Sequence, residues 1–81
     1  MNKNLELIKS NQFEKAGKAF VRITELNGKK SEIRIGFNGS RWFATVQFFV
    51  NGTSRGMGFF NAKYLKTLMN TLRKECEYCG F

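Results

Sequence analysis

Three Asn-Gly pairs constrain this chain more than any other feature of its sequence. They are Asn27-Gly28, Asn38-Gly39 and Asn51-Gly52, at intervals of 11 and 13 residues. Asn and Gly accept the positive φ angles of tight hairpin turns, so each pair predicts a reversal of the chain. The flanking segments AFVRITEL, KSEIRIGF, RWFATVQFFV and TSRGMGFF are rich in the β-branched and aromatic residues of strands. The sequence therefore predicts four strands in an antiparallel meander.

After Phe60 the spacing of the apolar residues changes from two to about 3.6, the period of a helix. They recur at Leu65, Leu68, Met69, Leu72, Cys76 and Cys79. We expect one helix over residues 62–78, with Asn61 as its N-cap and Gly80 as its terminator. The predicted fold class is α+β: a four-stranded antiparallel meander followed by one C-terminal α-helix, whose apolar stripe covers one face of the sheet.

A chain of 81 residues without a linker rich in Pro, Gly or Ser in its middle predicts a single domain, because two cores cannot be buried at this size. We assign residues 19–81 to that domain. Residues 1–18, whose apolar pattern is weak, are expected to form a flexible arm or a short helix. A domain this small is marginally stable alone, so we expect a dimer.

Fourteen Lys and Arg against six Asp and Glu give the chain a net charge of +8. Such a charge attracts polyanions, which makes nucleic acid and anionic membranes the candidate partners. No apolar stretch approaches the roughly 20 residues that cross a bilayer, and the first residues lack the apolar core of a signal peptide. We therefore expect an intracellular protein, with nucleic acid rather than membrane as its partner.

The residue types needed for catalysis are scarce. His is absent, the acidic residues are scattered, and neither a Gly-rich phosphate loop nor a nucleophile elbow is present, so we expect neither an enzyme nor a cofactor. Cys76 and Cys79 form a CxxC pair, which is half of a zinc site. Reduced thiols in a helix end are the favoured interpretation and no metal is assigned. A metal site shared across a dimer and a disulfide or redox role are the alternatives.

Side chains alternate across a strand, so each predicted strand carries two rows. One row is apolar and predicts the core; in the first strand it contains Val21 and Ile23. The opposite row mixes rings with cationic and hydrogen-bonding groups, at Phe20, Arg22, Arg34, Arg41, Phe43, Gln47 and Phe49. In the fourth strand Arg55 is expected to be exposed, while Gly56 and Gly58 indicate a bulge or a close backbone approach.

This mixed row has two interpretations. Exposed Phe residues are commonly covered by another subunit, and arginines on a solvated face are ordinary. Alternatively, unpaired bases stack on the rings, at about 1 to 3 kcal/mol per base, while Arg and Lys contact the phosphates. The repetition over several strands and the net charge favour single-stranded nucleic acid. Trp42 is assigned to the core, with base stacking as the alternative.

Residues 31–72, SEIRIGFNGSRWFATVQFFVNGTSRGMGFFNAKYLKTLMNTL, resemble the single-stranded-DNA-binding domain of the transcriptional positive coactivator four family. The shared pattern is an aromatic before a Gly-containing hairpin, a strand with a basic start and an aromatic end, a short strand with Arg beside Gly, and an amphipathic helix. Four strands followed by a helix are also the repeat unit of the plant Whirly proteins. Small phage-encoded family members protect single strands during replication.

The resemblance implies a homodimer in which the C-terminal helices pair and the two sheets form channels for single-stranded DNA. It also implies a role in replication, transcription or repair. The expected location is the cytoplasm of a bacterial cell, with phage infection as one setting. The matching residues are Phe37, Arg41, Phe49 and Arg55. Asn38 and Ile35 depart from the Lys and Arg of the family. Alternation places Phe37 on the core row, whereas the resemblance assigns Phe37 to the DNA-binding surface. The two predictions disagree at this residue.

The function we expect is therefore the binding and protection of single-stranded DNA with little sequence preference. Two other functions remain open. One is a protein-interaction module whose aromatic face docks an acidic partner, with incidental affinity for DNA. The other is an RNA-binding module, because unpaired RNA bases stack on aromatic side chains in the same way.

Overall fold

Five strands and two helices are present in residues 3–75, the part of the chain that the computed structural model describes. They are α1 (Lys3–Ser10), β1 (Glu14–Ala16), β2 (Ala19–Leu26), β3 (Lys29–Phe37), β4 (Trp42–Val50), β5 (Thr53–Ala62) and α2 (Leu65–Glu75). The strands pair antiparallel in the order of the chain. The α+β class and the meander followed by a helix are confirmed, but the sheet has five strands rather than four.

Two of the Asn-Gly pairs form two-residue hairpin turns. Both residues have positive φ, 53° and 77° at Asn27-Gly28 and 51° and 84° at Asn51-Gly52. This is the backbone of a type I′ turn, whose twist matches that of the flanking strands. At Asn38-Gly39 the loop is longer, because the Asn38 Oδ1 accepts hydrogen bonds from the backbone N–H groups of Ser40 and Arg41, at 3.0 and 2.8 Å. An Asn side chain that binds the backbone in this way forms its own turn.

The segment before β2 contains helix α1 and strand β1. Gln12 has a φ of 65° and ends the helix in a Schellman motif: its N–H donates to the Lys9 carbonyl and the Phe13 N–H donates to the Ile8 carbonyl, at 3.0 and 3.1 Å. Ile8 and Phe13 are both buried in the core. Strand β1 then pairs with β2 through a short turn at Gly17, which has a φ of 65°.

Helix α2 packs its apolar side on the sheet. Its buried residues are Leu65, Leu68, Met69 and Leu72. They join Ile33, Ile35, Ala44 and Val46 of the sheet in the core. The helix begins at Leu65 rather than residue 62. Asn61, predicted as its N-cap, instead lies in β5 and pairs with Phe43 of β4. Strand β5 pairs with β4 as far as Ala62, and this pairing keeps Asn61 and Ala62 extended. Cys76, Cys79 and Gly80 lie outside the described residues.

A buried asparagine joins the two helices to the sheet. The Asn11 Nδ2 donates to the Leu7 carbonyl at 2.8 Å, at the end of α1. Its Oδ1 accepts a hydrogen bond of 2.8 Å from Arg73 of α2, and its backbone carbonyl accepts one of 3.2 Å from Arg22 of β2. Asn11 is only 9% exposed, so these bonds replace water that burial removes.

Candidate nucleic-acid interface

The sheet has one face that neither helix covers, and no other element in residues 3–75 lies on it. We name it the open face. Its side chains include those of Val21, Ile23, Glu25, Lys30, Glu32, Arg34, Phe43, Thr45, Gln47, Phe49, Met57, Phe59 and Asn61, with Gly36 among them. Cross-strand pairing arranges them in rows, of which Arg34, Thr45 and Phe59 form one and Glu32, Gln47 and Met57 the next.

Three aromatic rings lie on the open face. Phe59 is 71% exposed and Phe43 38% exposed, whereas Phe49 is half-buried. Phe43 and Phe59 belong to the adjacent strands β4 and β5, one row apart, within the reach of diagonal neighbours in a sheet. The Lys30 Nζ lies 5.5 Å from the centre of the Phe49 ring, a cation-π distance. The open face therefore carries three flat apolar rings, and one of them lies beside a cation.

Phe59 was missing from the predicted site, because a bulge decides which side it faces. The turn at Asn51-Gly52 pairs Phe49 with Ser54, but Phe48 pairs with Gly56, which leaves Arg55 as the extra residue. Beyond this point a one-residue shift exchanges the two faces of a strand. Phe59 therefore lies opposite Thr45 on the open face. The glycines at 56 and 58 indicated a bulge without indicating its position.

Basic side chains lie within the open face and at its margins. Arg34 is exposed at the centre, and its Nη2 lies 3.7 Å from the Glu32 Oε1. Arg41, just before β4, donates from Nε to the Asn61 Oδ1 at 3.1 Å. Arg55 is exposed at the bulge. Other exposed basic residues lie on the helices, on β1 and β3 and in the connections, so the positive charge is spread around the molecule rather than confined to the open face.

Phe20 and Arg22 were predicted on this face, and that prediction is wrong. The two-residue turn at Asn27-Gly28 pairs Phe20 with Ile35 and Arg22 with Ile33, and cross-strand partners share a face. Phe20 therefore packs against the core, and Arg22 binds Asn11. Their neighbours Val21 and Ile23, predicted for the core, lie on the open face instead. Alternation within one strand separates its two rows but does not show which row is buried.

Phe37 lies at the end of β3, apart from the rings of the open face. It shares the side of Ile33 and Ile35, as alternation predicts, but it is 51% exposed because the sheet ends there. Its ring centre lies 5.1 Å from that of Trp42, at an interplanar angle of 45°. Trp42 is half-buried and packs against the core, in agreement with its predicted role.

Of the nine predicted residues, the structure therefore brings four together on the open face: Arg34, Phe43, Gln47 and Phe49. Arg41 and Arg55 lie at its margins. Within residues 3–75 no group of three or more His, Cys, Asp or Glu is placed to hold a metal ion. None of the helices in this part of the chain is long and apolar enough to cross a membrane. No family model, curated protein or solved structure matches the chain.

Proposed function

We propose that the open face binds single-stranded DNA, mainly by base stacking. The observation that carries the proposal is the exposure of Phe59 and Phe43, 71% and 38%, on adjacent strands of a face without a covering element in residues 3–75. Each exposed ring leaves apolar surface in contact with water, and a base stacked on the ring removes that surface from water. Stacking on aromatic side chains contributes about 1 to 3 kcal/mol per base and tolerates any sequence.

The phosphates contact the basic groups around these rings. Lys30 and Arg34 lie on the open face, and Arg41 and Arg55 lie at its margins. An intact duplex keeps its base faces stacked inside, so rings on the open face cannot stack on them, whereas the bases of a single strand are free to stack. The arrangement of rings and cations therefore favours unpaired strands over double-stranded DNA. Coating such strands would protect them in replication, transcription or repair.

The homodimer through α2 remains part of the proposal, as the resemblance implies. Among the described residues, the apolar side chains of this helix are used by the core, and its exposed positions are polar. These positions include Lys66, Thr67, Asn70 and Lys74. A pairing through them would depend on polar contacts. Sedimentation at micromolar protein concentration tests it, and a monomer would remove the two-channel arrangement.

A protein-interaction module is the second candidate function. Ile23 and Met57, each 57% exposed, also lie on the open face, and aliphatic side chains are less suited to stacking than rings are. An acidic protein partner would cover them and pair with the flanking cations. In that case the protein would bind oligonucleotides weakly and would lose them at physiological salt, since charge alone would hold them.

Fluorescence anisotropy tests the proposed function directly. Labelled oligo-dT of about 20 nucleotides and a duplex of equal length are titrated with protein at several salt concentrations. We expect tighter binding of the single strand, persisting at moderate salt. Equal and salt-sensitive binding of the single strand and the duplex would mean that the open face acts only as a charged surface. A matched RNA oligomer in the same titration measures the preference between DNA and RNA.

A pair of variants connects this binding to the open face. Phe59→Ala removes the most exposed ring and should weaken oligo-dT binding by about 1 to 3 kcal/mol, roughly 5- to 150-fold in Kd. Tyr64→Ala is the matched control, because Tyr64 is 63% exposed but lies between β5 and α2. It should leave the Kd unchanged. Equal effects of the two substitutions would contradict the assignment to the open face.

A further inference from the structure

The centre of the open face contains a hollow of about 250 Å³. It is lined by Glu32, Arg34, Thr45, Gln47 and Met57, from three neighbouring strands. Pockets for drug-sized ligands measure about 300 to 1,000 Å³, so this hollow suits a smaller group, such as one nucleobase. Its rows lie between Phe49 on one side and Phe59 and Phe43 on the other, within reach of a strand stacked on these rings.

Glu32 is the unexpected residue in this hollow. Its carboxylate repels phosphates, yet it lies in the middle of a face that the proposed function assigns to a polyanion. The side chain is 28% exposed, and the 3.7 Å between its Oε1 and the Arg34 Nη2 is longer than a hydrogen bond. Both groups therefore retain hydrogen-bonding capacity for a ligand. A carboxylate only accepts hydrogen bonds, so that ligand must present N–H or O–H donors.

Guanine presents the donors that fit. Its Watson–Crick edge carries two adjacent donors, N1–H and the exocyclic N2 amine, beside the O6 acceptor. The other three DNA bases present a single donor group on that edge. A carboxylate accepts both guanine donors in a bidentate pair, and the neighbouring guanidinium donates to O6. The edge is accessible in a single strand, where no complementary base occupies it.

We propose that Glu32 and Arg34 form a guanine-selective subsite within the open face. Met57, which is 57% exposed, lines the hollow and offers an apolar contact to the plane of the base. Gln47 offers one further donor and acceptor beside Glu32, its cross-strand partner. The subsite rests on the proposed function: stacking holds any strand, and this pair adds a preference for guanine at one position.

Three oligonucleotides test the subsite: oligo-dT, the same strand with one central guanine, and the same strand with inosine at that position. A single guanine avoids the association of guanine-rich strands, and inosine lacks the N2 amine. A bidentate contact to one base contributes about 1 to 3 kcal/mol of discrimination. We therefore expect the guanine strand to bind about 5- to 150-fold more tightly than oligo-dT, with inosine between them.

Two variants that lose the same charge test whether the Glu32 carboxylate causes the preference for guanine. Glu32→Gln should bring the guanine-to-thymine affinity ratio close to one. Glu25→Gln removes the same charge from another exposed residue of the open face that does not line the hollow, and it should keep the wild-type ratio. Both substitutions remove one negative charge, so any general gain in affinity for DNA from that loss is common to the two variants. Thermal unfolding of both variants checks that each remains folded.

The possible outcomes separate the subsite from the proposed function. Tight binding of all three strands with equal affinity would overturn the subsite and leave the proposed function intact. A guanine preference that survives in Glu32→Gln would overturn the assignment to Glu32. Failure to bind any single strand would overturn both proposals together.

Discussion

The ring of Phe43 lies over Gly36, its cross-strand partner on β3. A Cβ atom built on Gly36 would lie 2.7 Å from the Phe43 Cζ, closer than real Cβ contacts allow. The glycine therefore leaves the space that the ring occupies, and the two residues together set its orientation on the open face. Gly36 is buried under a ring that is itself 38% exposed.

Gly36→Ala should weaken single-strand binding, because the added methyl group displaces the Phe43 ring. The affinity loss should stay within the about 1 to 3 kcal/mol of one stacked base. Gly56→Ala is the control, since a Cβ there meets no atom within 4 Å. Anisotropy with oligo-dT measures both variants. Unchanged affinity in Gly36→Ala would mean that the position of Phe43 does not matter for binding.

Arg22→Ala should destabilise the protein without changing the salt dependence of its DNA binding. Arg22 donates to the carbonyl of buried Asn11, and removing a charged donor costs about 1 to 3 kcal/mol. Arg55→Ala should do the reverse, lowering the slope of log K against log salt by about 0.7, the contribution of one phosphate contact on a single strand. Urea unfolding and anisotropy at several salt concentrations distinguish the two. A reduced slope in Arg22→Ala would contradict this prediction and show that Arg22 contacts the DNA.

Asn11→Ala should lower the free energy of unfolding by about 1 to 3 kcal/mol. The substitution removes two part-buried hydrogen bonds of this side chain, one to the Leu7 carbonyl and one from the charged Arg73, and a hydrogen bond to a charged group contributes about 1.5 to 3 kcal/mol. Asn70→Ala is the control, because its bond to Arg73 is exposed and 3.3 Å long. Chemical denaturation measures both. Equal stability of the two variants would exclude a special role for Asn11.

Ile8→Ala should lower the free energy of unfolding by about 2 to 5 kcal/mol, the usual effect of truncating a buried aliphatic side chain. Ile8 is 1% exposed, whereas Leu5 on the same helix is 43% exposed. Leu5→Ala should therefore change stability by less than about 0.5 kcal/mol. Thermal or urea unfolding measures both. A negligible effect of Ile8→Ala would show that α1 does not contribute to the core.

Local chemistry explains the parts of the fold that were predictable from sequence. The type I′ turns depend on two residues each, and the stripe of α2 depends on spacing within one helix. Strand β1 and helix α1 were harder to predict, because α1 is short and its stabilising contacts are distant in sequence. Asn11 binds Arg73, 62 residues away, and no local pattern predicts such a bond.

The orientation of β2 was available from the sequence, although alternation alone misassigned it. A two-residue turn at Asn27-Gly28 makes Leu26 and Lys29 partners, and counting back from them pairs Phe20 with Ile35. The core residues of β3 then identify the buried row of β2. The turn therefore carries the information that places Val21 and Ile23 on the open face.

The orientation of β5 is different, and only the tertiary structure decided it. By itself, the sequence determined the chain reversals at the Asn-Gly pairs, the α+β class and the apolar side of α2, because each depends on residues close together in the chain. It did not determine which of the adjacent Phe59 and Phe60 is exposed. The bulge at Arg55 puts Phe60 against the core and Phe59 on the open face, and without it a period of two would exchange them. The two side chains are identical and so do not themselves favour either register, and the position of the bulge in the folded sheet makes the choice.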